Sequence, residues 1–172
     1  MPPFAGIIDW LALLVLTAAS LAAAFSDVAR FLIPNRYPAA IAVAFLVYAI
    51  GKPPALWVYG PLAGVMCLAI GIVLFERGAL GGGDVKLLTA TALWAGFDQM
   101  ALLLLVTAVT GGALALMQIL PLHRLIPDRS AATAASAGTA GTDLRSKLQQ
   151  PIPFGVAIAC GGVCVALARL AH

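Results

Sequence analysis

Charge is what this chain has least of. Ten lysines and arginines and seven aspartates and glutamates are spread over 172 residues, of which 62% are hydrophobic. Soluble domains carry roughly 25% charged residues, so a mean hydropathy of +1.02 excludes a water-soluble fold and points to an integral membrane protein. Histidine is also scarce. His123 and His172 stand outside the apolar runs and no His-Glu-x-x-His occurs, which excludes a zinc protease or a serine–histidine dyad inside the membrane. The three cysteines, Cys67, Cys160 and Cys164, all fall within apolar runs. There they are expected to be buried as small hydrophobes, and neither a disulfide framework nor a metal site follows. No glycine-rich run ends in the Lys-Ser/Thr of a phosphate loop, and no basic patch is interleaved with aromatics. Neither a cofactor nor a nucleic-acid partner is expected.

What the chain does have is long apolar runs. Ile7 to Phe25, Ala55 to Phe75, Met100 to Leu120 and Ile152 to Leu170 come close to the roughly 20 residues needed to cross a 30 Å hydrocarbon core. Pro38 to Ile50 and Val85 to Phe97 are shorter, and fit either short spans or re-entrant segments. The positive-inside rule chooses between these. With six spans and the N-terminus outside, the inner loops hold Arg30, Arg36, Arg77, Lys86, Arg124, Arg129, Arg145 and Lys147, and the outer side keeps only Lys52 and Arg169. Dropping one short span would reverse the side of every later loop. The expected fold is therefore an all-α polytopic membrane protein of six transmembrane helices (about 7–25, 38–50, 55–75, 85–97, 100–120 and 152–170) in a single domain, 1–172. The first run lacks a basic leader region and reads as a retained helix rather than a cleaved signal.

The connections carry the usual breakers. Pro34, Asn35 and Pro38 read as a turn between the first two spans, Lys52-Pro53-Pro54 with Trp57 and Tyr59 as the outer interface, and Asp98-Gln99 as a two-residue outer turn. Gly60, Gly64 and Gly71 suit close helix packing. Residues 121–150 form an expected flexible inner loop, rich in Ala, Ser, Thr and Gly from Asp128 to Lys147.

One heptapeptide is out of character. Gly81-Gly82-Gly83-Asp84-Val85-Lys86-Leu87 places two charges and three glycines beside an apolar run, where an ionisable residue points by default to function. Asp84 also suits a helix N-cap. Asp27, near the end of the first span, is the other carboxylate at the inner boundary without an obvious partner; its plainest explanation is an ion pair with Arg30. Lys86 reads as an interfacial anchor or as a charge tuning Asp84, and Asn35 as a turn residue. The glycines supply backbone freedom or room. In the six-span arrangement Asp27 and Asp84 share one side and can meet. A close pair of carboxylates retains one proton, so that one member polarises a carbonyl while the other activates water. Asp84, at a helix N-terminus, is expected to be the anion, and Asp27, at a C-terminus, to keep the proton. A small carrier or channel in which both bind cations or relay protons is the alternative, and a non-catalytic assembly subunit a third.

The same residues carry a resemblance. Gly81-Gly82-Gly83-Asp84 resembles the Gly-x-Gly-Asp motif of the type IV prepilin peptidases. Asp27 with Ile33-Pro34-Asn35 is similar to that family's first aspartate region, and Pro153-Phe154-Gly155 to its motif at the last helix. The resemblance implies an aspartyl endopeptidase with Asp27 and Asp84 as catalytic pair, supported by Gly81, Gly82, Gly83, Lys86 and Asn35. It further implies cleavage of the leader of pilin or pseudopilin precursors at the cytoplasmic face of a bacterial inner membrane. Larger members have an inserted domain with paired Cys-x-x-Cys motifs, associated with N-methylation, and this chain has no such pairs. The likeness is thus to the short, peptidase-only branch that serves tight-adherence (Flp-type) pili.

Overall fold

The computed structural model describes residues 3–50, 52–119 and 153–171, and the expected loop 121–150 lies outside them. The described chain is α-helical throughout: α1 (Pro3–Arg30), α2 (Arg36–Ala49), α3 (Pro54–Glu76), α4 (Gly82–Ala95), α5 (Met100–Ile119) and α6 (Phe154–Leu170). Each apolar run is one helix. Three are long and apolar enough to cross a membrane, over Gly6–Arg30, Pro54–Glu76 and Met100–Met117, while α2 and α6 are apolar but shorter. At 1.5 Å per residue the 14 residues of α4 rise only about 21 Å.

The short helix α4 is the hub. It packs against α2, α3, α5 and α6, and buries Val85, Leu87, Ala90, Thr91, Ala92, Trp94 and Ala95. Small side chains on α4 and glycines on its neighbours let the backbones approach. A Cβ at Gly64 of α3 would lie 2.7 Å from Leu93, and one at Gly71 2.7 Å from Val85. The spacing noted in the sequence is therefore the α3 seam. Trp94 fixes α2 on the other side. Its indole N–H donates to the Ile41 carbonyl at 3.0 Å, and the rings of Phe45 and Tyr48 lie 5.9 and 5.0 Å from its own. At the end of the bundle away from Asp84, Arg169 donates to the Trp94 carbonyl through Nε and Nη2 at 3.2 and 2.9 Å. This satisfies an orphan carbonyl at the C-terminus of α4. Lys52 pairs with Asp9 at 2.7 Å.

Three local expectations need correction. The first helix does not break at Phe25 but runs to Arg30, which places Asp27 inside its last turn. The outer turn between α4 and α5 is four residues, 96–99, because Gly96 takes φ +56° and closes α4 early. Asp84 is not the residue before α4: Gly81 is the N-cap, and Gly82 and Gly83 are helical.

Candidate active site

Asp84 stands three residues into α4, and its Oδ2 accepts a hydrogen bond from the Gly81 backbone N–H at 3.3 Å. That is the reaching-back half of a capping box. Its other oxygen, Oδ1, is buried and finds no hydrogen-bond partner among the described residues. An ionised oxygen in that state is costly. Burial, and next the negative charge of Asp27, push the Asp84 carboxyl up to about 6, against the lowering effect of the Gly81 amide.

Asp27 arrives from the opposite direction. It projects from the last turn of α1 and is 7% exposed, and its Oδ2 accepts the Gly155 backbone N–H at 2.8 Å. Gly155 is the second residue of α6, so the carboxylate of Asp27 sits on an orphan amide at a helix N-terminus. This contact joins residues 128 positions apart, and it overturns the asymmetry expected from α1 alone. The C-terminal end of α1 disfavours an anion, but the N-terminal end of α6 favours one. Both aspartates thus have a helix N-terminus, and the better-bonded of the two is Asp27. The expected ion pair of Asp27 with Arg30 is not formed; among the described residues the only salt bridge is Lys52–Asp9.

Ile33 holds the two ends together. It is 9% exposed and fills the notch between α4 and α6. A Cβ at Gly83 would come within 3.0 Å of Ile33 Cβ, and one at Gly155 within 2.9 Å of Ile33 Cδ1 and 2.8 Å of Asp27 Oδ2. Gly83 and Gly155 are therefore needed for room. Gly82 is less constrained, with Phe75 at 3.4 Å, and Gly81 would meet only the Asp84 carboxylate, at 2.9 Å. None of Gly81, Gly82 and Gly83 has a positive φ, so their backbones are in conformations open to other residues.

Lys86 and Asn35 also meet, but not at Asp84. The Lys86 ammonium donates to Asn35 Oδ1 at 3.0 Å, which leaves Asn35 without a side-chain cap on α2. The contact ties the α1–α2 connection to α4. Lys86→Gln, which can still donate to Asn35, is expected to lower cleavage by less than about tenfold, the scale of one exposed hydrogen bond. A shifted pH profile in that variant would instead show the ammonium acting on Asp84.

Two cavities meet at the aspartates. One, of about 420 Å³, is lined by the α1–α2 connection, the three glycines and Lys86. The other, of about 500 Å³, opens toward Leu80, Gly111, Ala115 and Phe154. Asp27, Phe31, Gly81 and Asp84 line both. Phe154 packs on Gly111, where a Cβ would overlap its ring at 2.5 Å, so this phenylalanine lines a groove as well as starting a helix. The structure brings together all seven residues singled out from the sequence. It adds Phe31, and it gives Ile33 and the Gly155 amide, quoted from the sequence only as parts of motifs, their places at the site. No cluster of metal-ligating side chains occurs among the described residues.

The family model described as the type IV leader peptidase family matches residues 14–116. The match includes both aspartates and stops before α6, which supplies the Gly155 amide. No curated protein and no solved structure matches the chain.

Proposed function

Because the chain belongs to the type IV leader peptidase family, we propose that it is an aspartyl endopeptidase with Asp27 and Asp84 as its catalytic pair. Membership makes it a leader-peptidase-type enzyme with pilin-like precursors as substrates, and three span-capable helices mark it as a membrane protein. The observation that carries the aspartyl reading is that both carboxylates line the same two cavities, close enough for the charge of one to raise the other.

Burial and the Gly155 amide set the roles. Asp27, hydrogen-bonded at the α6 N-terminus, is the anion that takes a proton from the attacking water. Asp84, which holds its proton to about pH 6, donates to the scissile carbonyl oxygen, giving a neutral tetrahedral diol. Collapse returns a proton from one hydroxyl to Asp84, while Asp27 passes its proton to the leaving nitrogen as the C–N bond breaks. The pair ends as it began.

The finer reading follows from the charges. All six helices cross, with the N-terminus outside and the pair at the cytoplasmic face of a bacterial inner membrane, since eight of ten cations then lie inside. Without paired Cys-x-x-Cys motifs, the chain is assigned to the peptidase-only branch that serves Flp-type pili. Co-expression with a Flp-type precursor should give a mobility shift on leader removal. It should vanish in Asp27→Asn and in Asp84→Asn, with both variants still in the membrane fraction. Cleavage that survives both substitutions would falsify the aspartyl reading, and ion flux without cleavage would favour a carrier.

A further inference from the structure

Phe31 is the one residue at the site whose side chain is at odds with the backbone conformation its position requires. It follows the last residue of α1 and has φ +49°, the only positive φ among the described non-glycine residues. The chain reverses there: the Phe31 N–H donates to the Asp27 carbonyl at 2.8 Å, and Ser26 Oγ donates to the Leu32 carbonyl at 2.8 Å. A left-handed residue just past a helix end is ordinary, but glycine or asparagine fills that place at the least steric cost. An aromatic residue with φ in that region is an outlier, and such strain gathers at functional sites.

The ring gains no burial from this strain. Phe31 is 54% exposed, so core packing does not explain it. What the conformation achieves is placement, since Phe31 lines both cavities that converge on Asp27 and Asp84. We propose that the Phe31 ring is a substrate-positioning wall: it packs on the extended precursor segment as that segment passes from one cavity to the other beside the aspartates. This rests on the peptidase reading. The occupant is a peptide in extended form, because a helix would hide its scissile carbonyl among its own hydrogen bonds. Phe31 makes no contact with the reacting atoms in this role; it acts by holding the chain against the pair.

A ring that packs on substrate in both ground and transition states affects KM before kcat. With a purified precursor peptide and enzyme in liposomes, Phe31→Ala is expected to raise KM at least about tenfold, the scale of burying one phenyl ring. The kcat should stay within about threefold. Phe31→Tyr should restore KM to within about twofold, whereas Phe31→Leu, which keeps an apolar anchor for the bilayer, should not. Phe31→Gly relaxes the backbone, so it should melt no lower than Phe31→Ala while sharing its raised KM. An unchanged KM in Phe31→Ala, or full rescue by leucine, would overturn the role of the ring. A loss in kcat at constant KM would also overturn it, by showing that the residue acts on Asp27. Wild-type enzyme that fails to cleave would overturn the peptidase reading itself.

Discussion

Asp27→Asn and Asp84→Asn are each expected to lower kcat/KM for precursor cleavage by about a thousandfold or more. The double variant should lose little beyond the worse single one. Two carboxylates that pass protons to the same reacting centre work as a unit, and removing either removes the cycle, so the effects do not add. Asparagine keeps the shape and can still accept the Gly81 or Gly155 amide, so the loss tests the proton and not the packing. The pH dependence has a sign that follows from Asp84. Its carboxyl holds a proton to about 6 in the fold, against 3.8 for an unperturbed aspartate, and the working state of the pair carries one proton. The kcat/KM profile, which reports the free enzyme, should fall as the pH rises through about 6. Stability runs the same way. The folded state binds this proton more tightly than the unfolded one, so its contribution is complete below 3.8 and is lost as the pH rises through about 6. Asp84→Asn should remove that loss. The inactive variant is expected to melt higher than wild type at pH 8, and a lower melting point there would mean that the carboxylate rests as a well-solvated anion.

Helix ends mark how much of the site is legible in the chain and where legibility stops. Asp27 and Asp84 were legible because charge is so scarce: seven carboxylates in 172 residues leave few candidates, and these two stand at the inner boundary of apolar runs, where a charge is costly. The helices were legible because hydropathy must match a bilayer, and the boundaries were less so. Hydropathy falls at Ser26, yet α1 runs on to Arg30, because a polar residue lowers hydropathy without breaking a helix. The proposed proton assignment reverses the one expected from the sequence for a single reason. Local sequence shows which end of its own helix a residue occupies, but not which end of a distant helix its side chain will touch. Gly155 lies 128 residues from Asp27, beyond any periodicity. Ile33 was hidden in the same way. As part of Ile33-Pro34-Asn35 it looked like turn sequence, while its role depends on two glycines in two other helices.

That wedge makes Gly155 the most sensitive position outside the aspartates. Gly155→Ala keeps the backbone N–H that Asp27 accepts, so hydrogen bonding alone predicts no effect. The added Cβ, however, would lie 2.8 Å from Asp27 Oδ2, 3.1 Å from Asp27 Cβ and 2.9 Å from Ile33 Cδ1. The carboxylate tip and the isoleucine methyl are the soft ends of side chains, and they would move before the helices part. Stability should therefore fall only by the roughly 1–3 kcal/mol of an overpacked core. The displaced carboxylate is the proton acceptor of the proposed reaction, and about 1 Å of misplacement at such a group costs about 10²-fold in rate. A loss of about 10² in kcat with a small fall in melting temperature is the expected result. Gly83→Val should behave similarly, since Ile33 Cβ stands 3.0 Å from the new Cβ and a branched side chain adds further atoms there. Gly82→Ala and Gly112→Ala are the contrasting cases. The first meets only the mobile edge of Phe75 at 3.4 Å, and the second meets nothing within 4 Å. Both should keep activity within about threefold of wild type if room, and not backbone motion, is what the glycines provide. A loss at Gly82 as severe as at Gly83 would show that the segment ahead of Asp84 must move during cleavage.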